Sequence, residues 1–357
     1  MQTDARAPRR QGRSRLALVL VLTALGVAGW GSYLLWFRPA PEARGRIDDP
    51  HAGKGSSSSV DGPSGGPRAA TGPQAAPPPP ARREPATLDT LYARAGDAVR
   101  AGRPIVVTVH VCLCDNRQGI APVSASLGDG DTPRTNLYWG AMFGLKTFFK
   151  QSRAWELLIE SQRRDGDPDG MLEQAVFRHR VPAASRWPGV PAAQQVEMLL
   201  VARAWRGMPM ENALGAFAAD ALGSAAWTVA LPDGRTIDAG GAGHVVGFVG
   251  HNSLMNAAVR ETNLFAAVNS PVASPPVGWF VLACKSDAYF TPHLARPHAV
   301  RLLATRQFMA PEAYTLAALL EAFAERQSAA TLRDRAARAY ARYQKITQAA
   351  ALGVFVN

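Results

Sequence analysis

The chain has 357 residues, 19% of them charged and 47% hydrophobic, with 27 Pro, 32 Gly, 3 Cys and a formal net charge of +11. Three cysteines in a chain of this length exclude a disulfide-scaffolded secreted domain. The charge excludes little by itself, because over half of it lies outside the part expected to fold. Residues 1–15 carry five arginines against Asp4, residues 38–86 carry seven basic and five acidic side chains, and +5 is left for residues 87–357. No clustered basic face or nucleic-acid module accompanies it, so nucleic acid is not an expected partner.

After the basic tail, residues 16–37 (LALVLVLTALGVAGWGSYLLWF) hold no charged side chain. As a helix they span about 33 Å, enough to cross a hydrocarbon core of about 30 Å. Trp30, Tyr33 and Trp36 gather near the far end, where amphipathic rings favour the headgroup zone. Arginines outnumber those that follow, which places the amino terminus in the cytoplasm. The competing reading is a cleaved signal peptide ending at Gly26-Val27-Ala28, but the apolar run continues nine residues further. The expectation is a single-pass inner-membrane protein contacting the bilayer through residues 16–37, with its carboxyl-terminal part facing the periplasm.

Residues 38–86 contain 11 of the 27 prolines and the Ser56-Ser57-Ser58-Ser59 run, a composition that cannot bury enough apolar surface to offset ordering entropy. They are expected to be a disordered linker with a polyproline II stretch at Pro77-Pro78-Pro79-Pro80.

Residues 87–357 are expected to form one α/β domain. Helical spacing runs over 87–101, and a β-branched run over 104–112 reads as a strand buried on both faces. A polar loop covers 115–135, a helix opens at Asn136 and runs to about Lys150, and 155–161 with 173–181 form a strand pair around the turn at 165–170. Helices are predicted over 191–207 and 209–222, each opening at a proline. A hairpin around Pro232-Asp233-Gly234 follows, then strands at 244–250, 279–283 and 301–305, and helices at 311–326 and 329 to about 350. Strands separated by helices point to a three-layer sandwich with a mostly parallel sheet.

In such sheets, sites form beyond the carboxyl ends of the strands. His251 follows Val245-Val246-Gly247-Phe248-Val249-Gly250, and Cys284 follows Val277-Gly278-Trp279-Phe280-Val281-Leu282-Ala283. A thiol attacks only as thiolate, and an imidazole at hydrogen-bonding range can take its proton. Cys112 and Cys114 end the first strand. Cys112 is expected in the core and Cys114 at the rim of the site, and one Cys-x-Cys pair is a weak metal signal. Gly250-His251-Asn252-Ser253-Leu254 lacks the spacing of a serine-hydrolase elbow. No P-loop and no G-x-G-x-x-G occurs, so neither cofactor nor metal is expected.

A strand ending in Gly-His, followed about 30 residues later by one ending in Ala-Cys, resembles the caspase-like (clan CD) cysteine peptidases, here in a bacterial, membrane-anchored form. The resemblance implies a caspase-like sheet, a protein or peptide substrate, His251 as general base and Cys284 as nucleophile. Asn252 stands where that family has Gly. Asn252, Ser286, Asp115 and Asn116 are the residues expected to shape the groove or serve an oxyanion. Asp115 and Asp287 are candidates for an acidic subsite favouring a basic side chain. The other class open to the same fold is a non-catalytic envelope interaction module on a Pro-rich stalk.

Overall fold

A computed structural model describes residues 84–120, 122–163, 169–266, 268 and 274–357. The segments read above as tail, membrane span and nearly all of the linker lie outside the described residues, as does most of the turn at 165–170. Among the described residues, no helix is long and apolar enough to cross a membrane.

The first helix, α1 (Leu88–Arg100), starts where the Thr87 hydroxyl accepts from Thr90 N–H and the Thr90 hydroxyl accepts from Thr87 N–H, a reciprocal cap on otherwise orphaned donors. Strand β1 (Ile105–Cys112) is buried along its whole length, as its β-branched run demands. The chain then passes through α2 (Leu145–Gln151), β2 (Trp155–Gln162), β3 (Met171–Pro182), β4 (Gln195–Trp205), α3 (Met210–Ala221), β5 (Ala226–Ala230), β6 (Thr236–Gly240) and β7 (Val245–Val249). It finishes with α4 (Ala257–Glu261), β8 (Val277–Leu282), α5 (Ser286–Leu294), β9 (Ala299–Thr305), α6 (Ala313–Ala324), α7 (Ala329–Gln344), α8 (Gln348–Val354) and β10 (Phe355–Val356).

Eight strands form one sheet in the order β10-β9-β8-β7-β1-β4-β3-β2, and β5-β6 form a separate hairpin. The run from β9 to β4 is parallel, with antiparallel joins at β10-β9, β4-β3 and β3-β2. The mixed α/β class and the mostly parallel sheet are therefore as the sequence predicts. Alternate residues feed two cores. Phe280 and Leu282 of β8 join a cluster with Leu91 of α1, Phe149 of α2, Leu316 of α6 and Leu332 of α7. Trp279 and Val281 join Phe217 of α3, Val259 of α4 and Phe290 of α5. Helices thus cover both faces of the sheet.

Three local predictions fail for identifiable reasons. Residues 191–207, expected to be a helix, contain β4, which pairs with β1 on one side and β3 on the other. Met198 to Ala202 are completely buried, so no alternation shows, and Glu, Met, Leu, Ala and Arg mimic a helix. The helix expected from Asn136 begins only at Leu145, because Asn136 is used as a clamp on the β1 end and consecutive turns fill 137–144. The last helix breaks at Lys345, whose φ of 57° is left-handed, and the chain end then adds β10 to the sheet edge.

Candidate functional site

β1 is the point where the sheet changes direction. The chain builds β4 on one side of it and then crosses to build β7, β8 and β9 on the other. The carboxyl edge at such a crossing is where α/β sheets place ligands. Three reactive side chains leave that edge on adjacent parallel strands: Cys114 from β1, His251 from β7 and Cys284 from β8. Val249 is paired with Leu282, and each candidate residue lies two positions beyond its member of that pair, so His251 and Cys284 leave at the same level.

The turn that carries His251 depends on glycine. Gly250 has φ +153°, and a Cβ there would sit 2.9 Å from the Cys112 carbonyl oxygen. His251 then turns inward and is only 6% exposed. Its Nε2 lies 3.5 Å from the Cys114 sulfur, and the Tyr138 hydroxyl is 3.2 Å from Nε2 and 3.3 Å from Nδ1. Burial pushes the imidazole down from 6.5 to about 4, so it is neutral at pH 7.

Cys284 is partly exposed and sits in a β8-turn-α5 corner whose next residue, Lys285, is left-handed with φ 51°. Its S–H donates to Met309 C=O and its sulfur accepts from Met309 N–H, both at 3.5 Å. Burial raises its pKa, opposed by the Met309 N–H and by the nearby Lys285 ammonium. Among the described residues, no hydrogen bond joins Cys284 to His251. The link between the two turns is Asn252, whose Nδ2 donates to the Cys284 carbonyl at 2.6 Å.

No family model, no curated protein and no solved structure matches this chain.

The other predicted residues are structural in their contacts. Ser286 is completely buried, its hydroxyl donating to Val281 C=O at 2.9 Å and lying 3.2 Å from the Thr305 hydroxyl. Asn252 spends both ends of its amide, one on Cys284 and the other accepting from Leu254 N–H. The Ser286 hydroxyl has no donor left for an oxyanion, whereas the Asn252 amide has a second N–H beyond the one given to Cys284. Asp115 is held by the Arg117 guanidinium, and Asn116 bonds both backbone groups of Val123, so this pair organises the 115–123 loop. Asp287 is taken up by Arg301 at 2.7 Å. Both carboxylates expected as an acidic subsite are thus paired with arginine.

Cys114 departs most from its expected place. It is 1% exposed rather than on the rim, and Asn136 grips it by accepting its N–H at 3.1 Å and donating to its C=O at 2.8 Å. Burial pushes its thiol, and that of Cys112, up to about 12. Asn136 belongs to the polar loop that sequence reasoning set over this edge, but its clamp on Cys114 was not foreseen; Tyr138 was read by its helical spacing as a core residue, and it packs against His251 instead.

Among the described residues, no group of three His, Cys, Asp or Glu is arranged to hold a metal ion. A cavity of about 500 Å3 opens at the opposite, amino-terminal edge of the strands, lined in part by Arg94, Arg103, Arg235 and His244. Arg94 is spent there on the carbonyls of Ala242, Gly243 and Pro276, and Arg235 on Glu197.

Proposed function

We propose that the chain is a membrane-anchored extracytoplasmic cysteine peptidase of caspase-like type, with Cys284 as nucleophile and His251 as general base. Residues 16–37 would hold it in a bacterial inner membrane, residues 38–86 would carry the domain away from the bilayer, and the substrate would be a protein or peptide. The observation that carries the reading is the register of β7 and β8, which delivers a neutral imidazole and the one partly exposed cysteine to the same level of the carboxyl edge.

The electrostatics favour one form of the chemistry. The imidazole is a weak base and the thiol a weak acid in this setting, so a resting thiolate–imidazolium pair is disfavoured. Proton transfer then accompanies attack. Cys284 Sγ leaves Met309 and adds to the peptide carbonyl as its proton passes to His251; the C–N bond breaks as His251 returns that proton to the amine; water, deprotonated by His251, then adds to the thioester, and the C–S bond breaks as His251 gives the proton back to Cys284 Sγ. Cys114 does not serve as nucleophile, because a thiol 1% exposed cannot meet a peptide carbonyl.

The capture of Cys284 by the Met309 backbone favours a second reading, a non-catalytic interaction module with a satisfied, structural thiol. One experiment separates the two. Full-length protein is alkylated with iodoacetamide at pH 7, the sites are mapped by mass spectrometry for wild type and His251→Ala, and both are tested on a peptide library beside Cys284→Ala. Labelling of Cys284 that falls with His251→Ala, together with cleavage lost in Cys284→Ala, supports the peptidase. Slow labelling indifferent to His251, with no cleavage, leaves the interaction module.

A further inference from the structure

We infer that Cys114 is the positioning residue for His251: its sulfur accepts the Nε2–H of the imidazole and so leaves the Nδ1 lone pair as the base. The inference rests on the dyad reading above.

β7 lies between β1 and β8, so the histidine at its end has a thiol-bearing strand on each side. The two thiols are not equivalent. Cys114 is buried, is fixed through its backbone on both sides by Asn136, and lies 3.5 Å from Nε2; Cys284 is partly exposed and makes no bond to the ring. A neutral imidazole has one N–H and one lone pair, and the partner of one nitrogen decides which nitrogen keeps the proton. If Cys114 S–H donated to Nε2, the proton would sit on Nδ1 and no basic nitrogen would remain for Cys284.

The surroundings favour the other tautomer. The Tyr138 hydroxyl lies 3.2 Å from Nε2 and 3.3 Å from Nδ1, and with the ring proton on Nε2 it can donate only toward the Nδ1 lone pair, in keeping with that tautomer. A thiol is also a weak donor, whereas an imidazole N–H is a full one that needs an acceptor when buried. Nε2–H to Cys114 Sγ meets that need, and the edge-on contact with Tyr138, ring centroids 5.3 Å apart at 74°, holds the ring.

The test reads the tautomer directly. Full-length protein carrying 15N-histidine is examined by two-bond 1H–15N correlation at pH 7, with His251 assigned by loss of its signals in His251→Ala. The expected wild-type pattern is a neutral ring protonated at Nε2; protonation at Nδ1 overturns the proposal. Cys114→Ser, which keeps an acceptor, should preserve the pattern and leave Cys284 alkylation within about threefold of wild type, while Cys114→Ala should mix the tautomers and slow alkylation about tenfold. A Cys114 that only fills space would lower the melting temperature in Cys114→Ala with tautomer and alkylation unchanged, and that also overturns the proposal. Should Cys114→Ala not fold, the wild-type spectrum and Cys114→Ser decide. A wild-type Cys284 whose alkylation is indifferent to His251→Ala would instead sink the dyad, whatever tautomer the spectrum reports, and that outcome is distinct from the others.

Discussion

The side-chain amide of Asn252 donates to the carbonyl of Cys284 across 2.6 Å and ties the turn after β7 to the turn after β8. Its Oδ1 accepts from Leu254 N–H, so one buried side chain fixes both the approach to the following 3-10 turn and the corner that presents the thiol. Glycine, which the resemblance led us to expect at this position, makes neither bond.

Replacing Asn252 with Ala leaves the Cys284 carbonyl without that donor in a largely buried site. The expected loss is about 1–3 kcal/mol of unfolding free energy, measured by urea denaturation. Asn252→Asp should cost at least as much, because it sets a carboxylate against a carbonyl oxygen. A loss below a few tenths of a kcal/mol in both variants would show that the tie carries no weight.

Gly247 of β7 faces Phe280 of β8 in the pairing register, and a Cβ at Gly247 would run into the Phe280 ring. Gly247→Ala should therefore destabilise by about 1–3 kcal/mol through overpacking. Adding Phe280→Leu should recover part of that, since the two sites are in contact and not additive. Independent, additive losses would mean the ring moves aside freely.

His251 and His244 are both held neutral by burial, His251 down to about 4 and His244 to about 3 from 6.5, with Arg94 and Arg103 adding to the effect at His244. Folded-state values below the unfolded ones mean that the unfolded chain takes up protons first. Stability is thus fully present above about pH 6.5 and falls as pH drops toward 4 for His251, and toward 3 for His244. The contribution of His251 is on the order of 3 kcal/mol. Urea midpoints between pH 7.5 and 4 should fall, and His251→Gln should flatten the slope; an unchanged slope would count against the buried neutral ring.

Glu173 is buried with its Oε2 2.5 Å from Lys146 Nζ and 2.5 Å from Trp139 Nε1. Glu173→Gln leaves Lys146, itself nearly buried, with only Glu160 at 3.1 Å as counter-charge. The expected cost is about 2–3 kcal/mol, below that of an isolated buried charge because Glu160 stays. Lys146→Met in the same background should restore some of it, and thermal unfolding of the four proteins in the cycle measures the coupling.

Composition and periodicity by themselves determined the α/β class, the mostly parallel sheet, and the placing of His251 and Cys284 after two strands of it. β-Branched runs such as 105–112 and glycine-bounded strand ends are local signals, and a parallel sheet puts its strand ends on one edge. β4 was not legible, because a strand buried on both faces loses the alternation that separates it from a helix. Partnership was not legible either. The sequence paired His251 with Cys284, the two residues that end neighbouring motifs, and spacing gave no sign that Cys114, 137 residues earlier, lies within 3.5 Å of the ring. That contact comes from the crossing of the chain at β1, which sets β7 between β1 and β8, and from Asn136 and Tyr138 folding back from a loop. Strand order and loop return are decided by packing across the whole sheet. They fix which thiol meets the imidazole and which is left partly exposed.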